Sequence, residues 1–194
     1  MSTPTSEKKA LRHHYRALRR GLTAQQQQSA SDALLTHVAT YLDKVNPSVV
    51  SGYLANDGEI DIAPILALCW QRDITTVLPI VDPNNTRQLV FARYDSSTQL
   101  RDNTYGIPEP VFNQNGLVPL ADISHILLPL VAFNLHGHRL GMGGGYYDTT
   151  LSSNPHTAKL IGVAHDIQLC EDIPIEPWDV PLAGIFTPSG FSSF

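Results

Sequence analysis

The sequence predicts a single three-layer α/β/α domain, residues 1–194, built on a mainly parallel sheet. Three observations predict it. Strand-like runs alternate with helical stretches. The most apolar run, residues 125–133, reads as one strand covered on both faces. Neither an internal repeat nor a linker divides the chain, and 194 residues suffice for one core.

Ser6 caps a first helix of about residues 7–20, closed by Gly21, and Thr23 to Gln26 has the form of a capping box opening a second helix to about Leu42. The run Gln25 to Gln28 reads as solvated surface. Asn46-Pro47 breaks to a buried strand over Val49 to Leu54, and after the Asp57-Gly58 turn a helix begins at Asp61 and runs to about Arg72. Thr75 to Val81 and Leu89 to Tyr94 read as strands around a polar turn. After a loop-rich stretch and the 125–133 strand come a glycine-rich loop, a helix from about Tyr146, a strand from Leu160 to Ala164 and a tail strand near Ile185-Phe186. In an open parallel sheet, ligands bind beyond the carboxyl ends of the strands. The loops after Leu54, Phe133 and Ala164 are therefore expected to form the site.

Composition narrows the class. A chain 42% hydrophobic and 16% charged is globular, and no apolar run approaches the ~20 residues of a membrane span. Cys69 and Cys170 lack metal-ligand spacing and read as buried thiols of a reducing compartment. The polar, basic N-terminus reads as no secretory signal; a cytoplasmic enzyme is expected. The first 20 residues hold six Lys or Arg and one Glu, which leaves the body strongly acidic against a net charge of −5. That pattern argues against a whole-surface nucleic-acid binder. The basic helix reads as solvated, as latched to the acidic body, or as facing an anionic ligand. On a wheel at ~100° per residue, Leu11, Tyr15, Leu18 and Leu22 form the docking stripe, flanked by Lys8, Arg12, Arg16 and Arg19. His136 and His138 are read as solvated loop residues.

The chemistry concentrates in Gly137-His138-Arg139-Leu140-Gly141-Met142-Gly143-Gly144-Gly145-Tyr146-Tyr147-Asp148. Glycines let successive backbone N–H groups converge on one anion, and a following helix N-terminus adds partial positive charge. This has the form of a phosphate cradle, with neither a Walker A ending nor Rossmann glycine spacing. Asp148 is either a hard oxygen ligand for Mg²⁺ or a first-turn acid favoured by the helix dipole.

These residues carry a resemblance. Lys8-Lys9-Ala10-Leu11-Arg12, Gly58-Glu59-Ile60-Asp61, Gly106-Ile107-Pro108-Glu109-Pro110, Pro129 to Phe133, Arg139 to Asp148 and Trp178-Asp179-Val180-Pro181 stand in the order found in 5-formyltetrahydrofolate cyclo-ligases. The chain resembles that family from Lys8 to about Thr187. The resemblance implies an α/β/α fold and a ligase of folate one-carbon metabolism. This enzyme would convert ATP and 5-formyltetrahydrofolate to 5,10-methenyltetrahydrofolate, ADP and phosphate with Mg²⁺, as a monomer on small-molecule substrates, without nucleic acid or membrane. It implies ATP contacts from Lys8 to Arg12 and from Arg139 to Tyr147, and folate contacts from Leu54 and Glu59. Met142, Gly143, Gly144, Gly145 and Tyr146 would lie between the two substrates, Arg139 and Tyr146 would act in catalysis, and Asp148 and Asp179 would hold Mg²⁺. Two positions depart from the family pattern. Many members have His and Asp where this chain has Trp178 and Ala183, and some have a basic residue at Met142 or Gly144. The second departure shifts phosphate neutralisation onto Arg139 and the first helix. A sugar-phosphate or CoA-ester enzyme of related fold, and a folate-binding protein without turnover, are the rival readings.

Overall fold

The computed structural model describes residues 4–85, 87–103 and 106–194. Helix α1 (Pro4–Arg20) ends at Gly21, whose N–H reaches the carbonyls of Ala17 and Leu18. Ser6, expected to cap it, lies inside the helix, because Pro4 already begins it. Helix α2 (Ala24–Val45) opens on the predicted capping box: Thr23 Oγ1 accepts the Gln26 N–H, and Gln26 Oε1 accepts the Thr23 N–H at 2.8 Å. It closes at Asn46 in the left-handed region. Helix α3 (Ala63–Gln71) begins two residues later than expected. Asp61 stands outside it and accepts the Ala63 N–H at 2.9 Å. Helix α4 (Tyr146–Ser153) leaves the glycine loop as predicted.

Twelve strands are formed by the described residues: β1 (Val49–Ser51), β2 (Thr75–Val81), β3 (Leu89–Arg93), β4 (Leu100–Asp102), β5 (Pro108–Pro110), β6 (Leu117–Val118), β7 (His125–Pro129), β8 (Ala132–Phe133), β9 (Arg139–Leu140), β10 (Lys159–Val163), β11 (Gly184–Thr187) and β12 (Gly190–Ser193). Eight make the main sheet in the order β12-β11-β10-β7-β1-β2-β3-β6. The five inner strands from β11 to β2 run parallel; β12 on one side and β3 on the other run antiparallel to them, and the edge strand β6 pairs antiparallel with β3. Successive strand residues face opposite layers. Leu127 joins Leu34, Val38, Leu42, Ile65 and Cys69 under α2 and α3, whereas Ile126 and Leu128 join Leu151 of α4. Burying each such side chain stabilises the fold by about 1.5–3 kcal/mol. These are the three predicted layers.

Several segments differ from the sequence reading. The run 125–133 is two strands: β7 stays in the sheet, while β8 turns away to pair with β9. Side chains take the carbonyls freed at the bend, since Gln168 Nε2 donates to both Leu130 O and Val131 O at 2.8 and 2.9 Å. The strand expected to reach Leu54 stops at Ser51. Tyr53 then turns inward and donates to Ile60 O at 2.9 Å. The loop-rich stretch contains the β4–β5 ribbon, with Glu109 buried in β5. The tail is a β11–β12 hairpin, with Phe191 packed on Phe186 and Tyr41. Cys69 and Cys170 are free and buried, as expected. Among the described residues, no helix is long and apolar enough to cross a membrane.

Candidate active site at the carboxyl edge of the sheet

The loops that follow β1, β7 and β10 meet at one sheet edge, where α1 lies across them. Leu11 and Tyr15 seat the helix on Val131, Ala132, Leu140, Cys170 and Ile173. Leu18, expected in the same stripe, is exposed instead. The face that turns inward is the charged one, because acids and carbonyls of the loops wait there. Lys8 Nζ pairs with Asp179 Oδ2 at 2.8 Å, and Arg12 Nε donates to Gly141 O at 2.8 Å. Arg16, Arg19 and Arg20 converge on Asp57, at 2.7, 2.8 and 2.7 Å. Of the three compositional readings of this helix, latching to the acidic body is the one the contacts show for Lys8, Arg16, Arg19 and Arg20.

Arg19 is the hub. Its side chain is 0% exposed, and besides Asp57 Oδ2 it donates to Asp57 O at 2.8 Å and to Leu130 O at 2.9 Å. His165 Nε2 meets Gly58 O at 3.2 Å, so the third loop joins the first two. Burial lowers the His165 pKa, and the Gly58 carbonyl opposes that. Gln27 Nε2 bridges Arg19 O and Gly58 O at 3.3 and 3.1 Å. That corrects the reading of the glutamine run as wholly solvated: Gln27 is half-buried because it faces this seam. The backbone at Gly58 has φ +79, and a Cβ there would sit 3.0 Å from Arg19 O. Glycine is needed for both reasons.

Two carboxylates in this loop titrate in opposite directions. Burial alone would raise Asp57, but the hydrogen bonds and charges of Arg16 and Arg19 outweigh it and bring its pKa down to about 2. For Glu59 burial wins and pushes the pKa up to about 7. Arg19 and the Asn56 N–H oppose the rise without reversing it. Glu59 Oε1 lies 3.5 Å from Arg19 Nη2, and Oε2 accepts the Asn56 N–H at 3.1 Å. Nearby, the Tyr147 hydroxyl is buried with no hydrogen-bond partner among the described residues, and burial followed by the Glu59 charge raises its pKa.

The glycine loop is the opposite of this clamped segment. Residues 142–145 are exposed. Among the described residues, no group accepts a hydrogen bond from their amides. The Arg12 guanidinium carbon lies 3.3 Å from where a Cβ on Gly143 would stand, and a Cβ on Gly144 would meet the Tyr146 ring at 2.8 Å. Burial lowers the Arg12 pKa, with Asp179 opposing.

The 5-formyltetrahydrofolate cyclo-ligase family model matches residues 4–188. The chain belongs to that family. It is 38% identical over 175 residues to the 5-formyltetrahydrofolate cyclo-ligase of Escherichia coli (strain K12), covering 90% of this chain and 96% of that protein. It is 34% identical over 182 residues to the Haemophilus influenzae protein of the same name, covering 93% and 97%. Among solved structures, the Aquifex aeolicus 5,10-methenyltetrahydrofolate synthetase superposes with a TM-score of 0.82 at 27% identity, over 96% of this chain and 92% of that one. The family is one of ligase enzymes, and the related-fold sugar-phosphate and CoA-ester readings are set aside.

Not every residue of the predicted set faces the same space. Lys8 and Arg12 lie on the inner side of α1, whereas Lys9 and Ala10 are exposed. Leu140 is buried in the small core beneath α1. Arg139 is nearly buried, donating to Val180 O and, at 2.6 Å, to Asp148 Oδ1. Met142 is exposed, its sulfur 3.6 Å from Arg19 Nη2. Leu54 and Tyr146 are half-buried. Asp148 also accepts the Val180 N–H at 3.2 Å, and Asp179 accepts the Glu176 N–H at 2.9 Å, which brings the two acid-bearing segments side by side. Trp178 is 64% exposed at the tip of that second turn. Sequence reasoning missed Asp57, His165 and Gln168 as the groups that tie the loops together. The available signal was the cluster of unbalanced cations on one helix, which demands a carboxylate facing it.

Proposed function

We propose that the chain catalyses the ATP- and Mg²⁺-dependent cyclisation of 5-formyltetrahydrofolate to 5,10-methenyltetrahydrofolate, releasing ADP and phosphate. The observation that carries the reading is the meeting of an open glycine loop and the half-buried Glu59 at one sheet edge, in a chain of this family. The exposed amides of residues 142–145 and the Arg12 guanidinium suit the phosphates of ATP. Glu59 suits the pterin ring, whose edge presents adjacent N–H donors to a planar acceptor. The formyl oxygen takes the γ-phosphoryl group, N10 closes on the formyl carbon, N10 loses its proton, and phosphate departs. Catalysis is then mainly positioning and charge neutralisation.

The acids fit a Mg²⁺ ion held partly by nucleotide. Among the described residues, no group of three or more His, Cys, Asp or Glu forms a closed cage. Asp148 and Asp179 each use one oxygen within the chain and keep the other free of hydrogen bonds among the described residues. One or two carboxylates plus phosphate oxygens is the binding mode Mg²⁺ prefers. When bound there it would neutralise charge on the transferring phosphoryl group. Arg139 fixes the Asp148 carboxylate, and Lys8 fixes that of Asp179.

The test is direct. Purified protein, Mg-ATP and 5-formyltetrahydrofolate should give the absorbance of the methenyl product with stoichiometric ADP. Equal product formation without ATP overturns the reading, and folate binding without ADP release would make the chain a binding protein.

A further inference from the structure

Glu59 stands beside Arg16 and Arg19 yet takes almost none of their hydrogen bonds. Arg16 Nε and Nη2 hold the two Asp57 oxygens at 2.7 and 3.1 Å, Arg19 holds Oδ2 at 2.8 Å, and Arg20 holds Oδ1 at 2.7 Å. Glu59 is left with the single 3.5 Å approach of Arg19 and one backbone N–H. The loop backbone enforces this division: Asp57 sits at φ 54 and Gly58 at φ 79, which presses the carboxylate of Asp57 against the end of α1. We infer that Asp57 is a positioning residue that occupies the α1 arginines, so that the Glu59 carboxylate stays available to a ligand.

The reason is the cost of an unpaired buried charge. Arg19 is fully buried, and Asp57 and Glu59 are its only anionic partners within 4 Å among the described residues. Were Asp57 neutral, Arg19 would close on Glu59, because breaking a buried ion pair by removing one partner leaves the other charge uncompensated. Glu59 would then have to give up a charge-assisted pair before it could accept N–H donors from a ring. The charged and titratable groups facing Glu59 are Arg16 and Arg19 from α1, Asp57 and Tyr53 from its own segment, and Tyr147 from α4. The two arginines favour its ionised form and Asp57 disfavours it. The inference rests on Glu59 being the folate contact proposed above.

Four variants test it, each checked for native circular dichroism, with the folate KM and the pH dependence of folate kcat/KM as readouts. Asp57→Asn should raise the folate KM about tenfold at mildly alkaline pH, where Glu59 is ionised, and leave the ATP KM in place. It should also move the Glu59-dependent midpoint below its starting value. Arg16→Gln removes a cation and should move that midpoint the other way. Asp57→Asn combined with Glu59→Gln should be no worse for folate than Glu59→Gln alone, because the first acts through the second. Additive losses in the double variant overturn the inference while leaving Glu59 as the folate contact. An unchanged folate KM in Glu59→Gln alone would instead remove the reading on which it rests. Should Asp57→Asn fail to fold, Arg16→Gln still decides: an unmoved midpoint overturns the role given to Asp57.

Discussion

The glycine loop and the Asp57–Glu59 loop sit at the same sheet edge and are held in opposite ways. Residues 142–145 are exposed, with amides that no described residue uses. The other loop is gripped by three arginines, by Gln27 and by His165. The difference follows from what each is proposed to bind. A polyphosphate is recognised by backbone donors that close around it, so those donors must be left unpaired. A ring edge is recognised by one carboxylate in one orientation, and that orientation has to be over-determined beforehand.

The largest effect expected from this contrast is on stability. Asp57 has a folded pKa of about 2, below its ordinary 3.8, so its contribution is present above that value and lost as pH falls through about 2. Glu59 has a folded pKa of about 7, above its ordinary 4.5, so its contribution is present below about 4.5 and lost as pH rises through about 7. The second amounts to about 3 kcal/mol. Urea unfolding across this range should show it as a falling slope that Glu59→Gln flattens. An identical slope in the variant would remove burial as the cause of the Glu59 shift.

Next comes the open loop. Gly143 has φ +104, where an L side chain is strained, and Arg12 already lies against it. Gly143→Val should lower kcat/KM for ATP about a hundredfold, roughly 3 kcal/mol, with folate affinity nearly unchanged. Equal losses for both substrates would mean that the two loops are not separable. Glu59→Gln should raise the folate KM about tenfold, an effect of roughly 1.4 kcal/mol, and spare ATP. A variant that keeps its folate KM but loses a limb of its pH–rate profile would make Glu59 an acid–base group instead. Smallest is the contrast within α1. Arg12→Ala should raise the ATP KM several-fold, about 1 kcal/mol, whereas Lys9→Ala, at an exposed position, should not move it. A matching rise for Lys9 would show that bound nucleotide reaches the outer side of the helix.

Much of this site was legible in the chain, because glycine spacing, apolar period and unbalanced charge are local signals. The glycine loop opening α4, the capping box of α2 and the three site-forming loops follow from them. The direction in which α1 faces did not. A wheel ranks residues by hydrophobicity and so turned Leu18 inward and the arginines toward its flank. The observed helix turns Arg19 fully inward, since the carbonyls of Asp57 and Leu130 and the Asp57 carboxylate satisfy its donors. The break in 125–133 was hidden for the same reason: its apolar run is continuous, and the donors that let the chain leave the sheet come from Gln168 and Arg19, both more than 30 residues away.

The sequence by itself determined the α/β/α class, the three loops that meet at one sheet edge and the membership of the family, because each depends on patterns within a few residues or on their order. Tertiary structure alone decided which charges pair. Two acids separated by one glycine, Asp57 and Glu59, look equivalent along the chain. One is drawn down to about 2 and the other driven up to about 7. That split is set by which of them the arginines of α1 reach, and that pairing does not exist before the chain has folded.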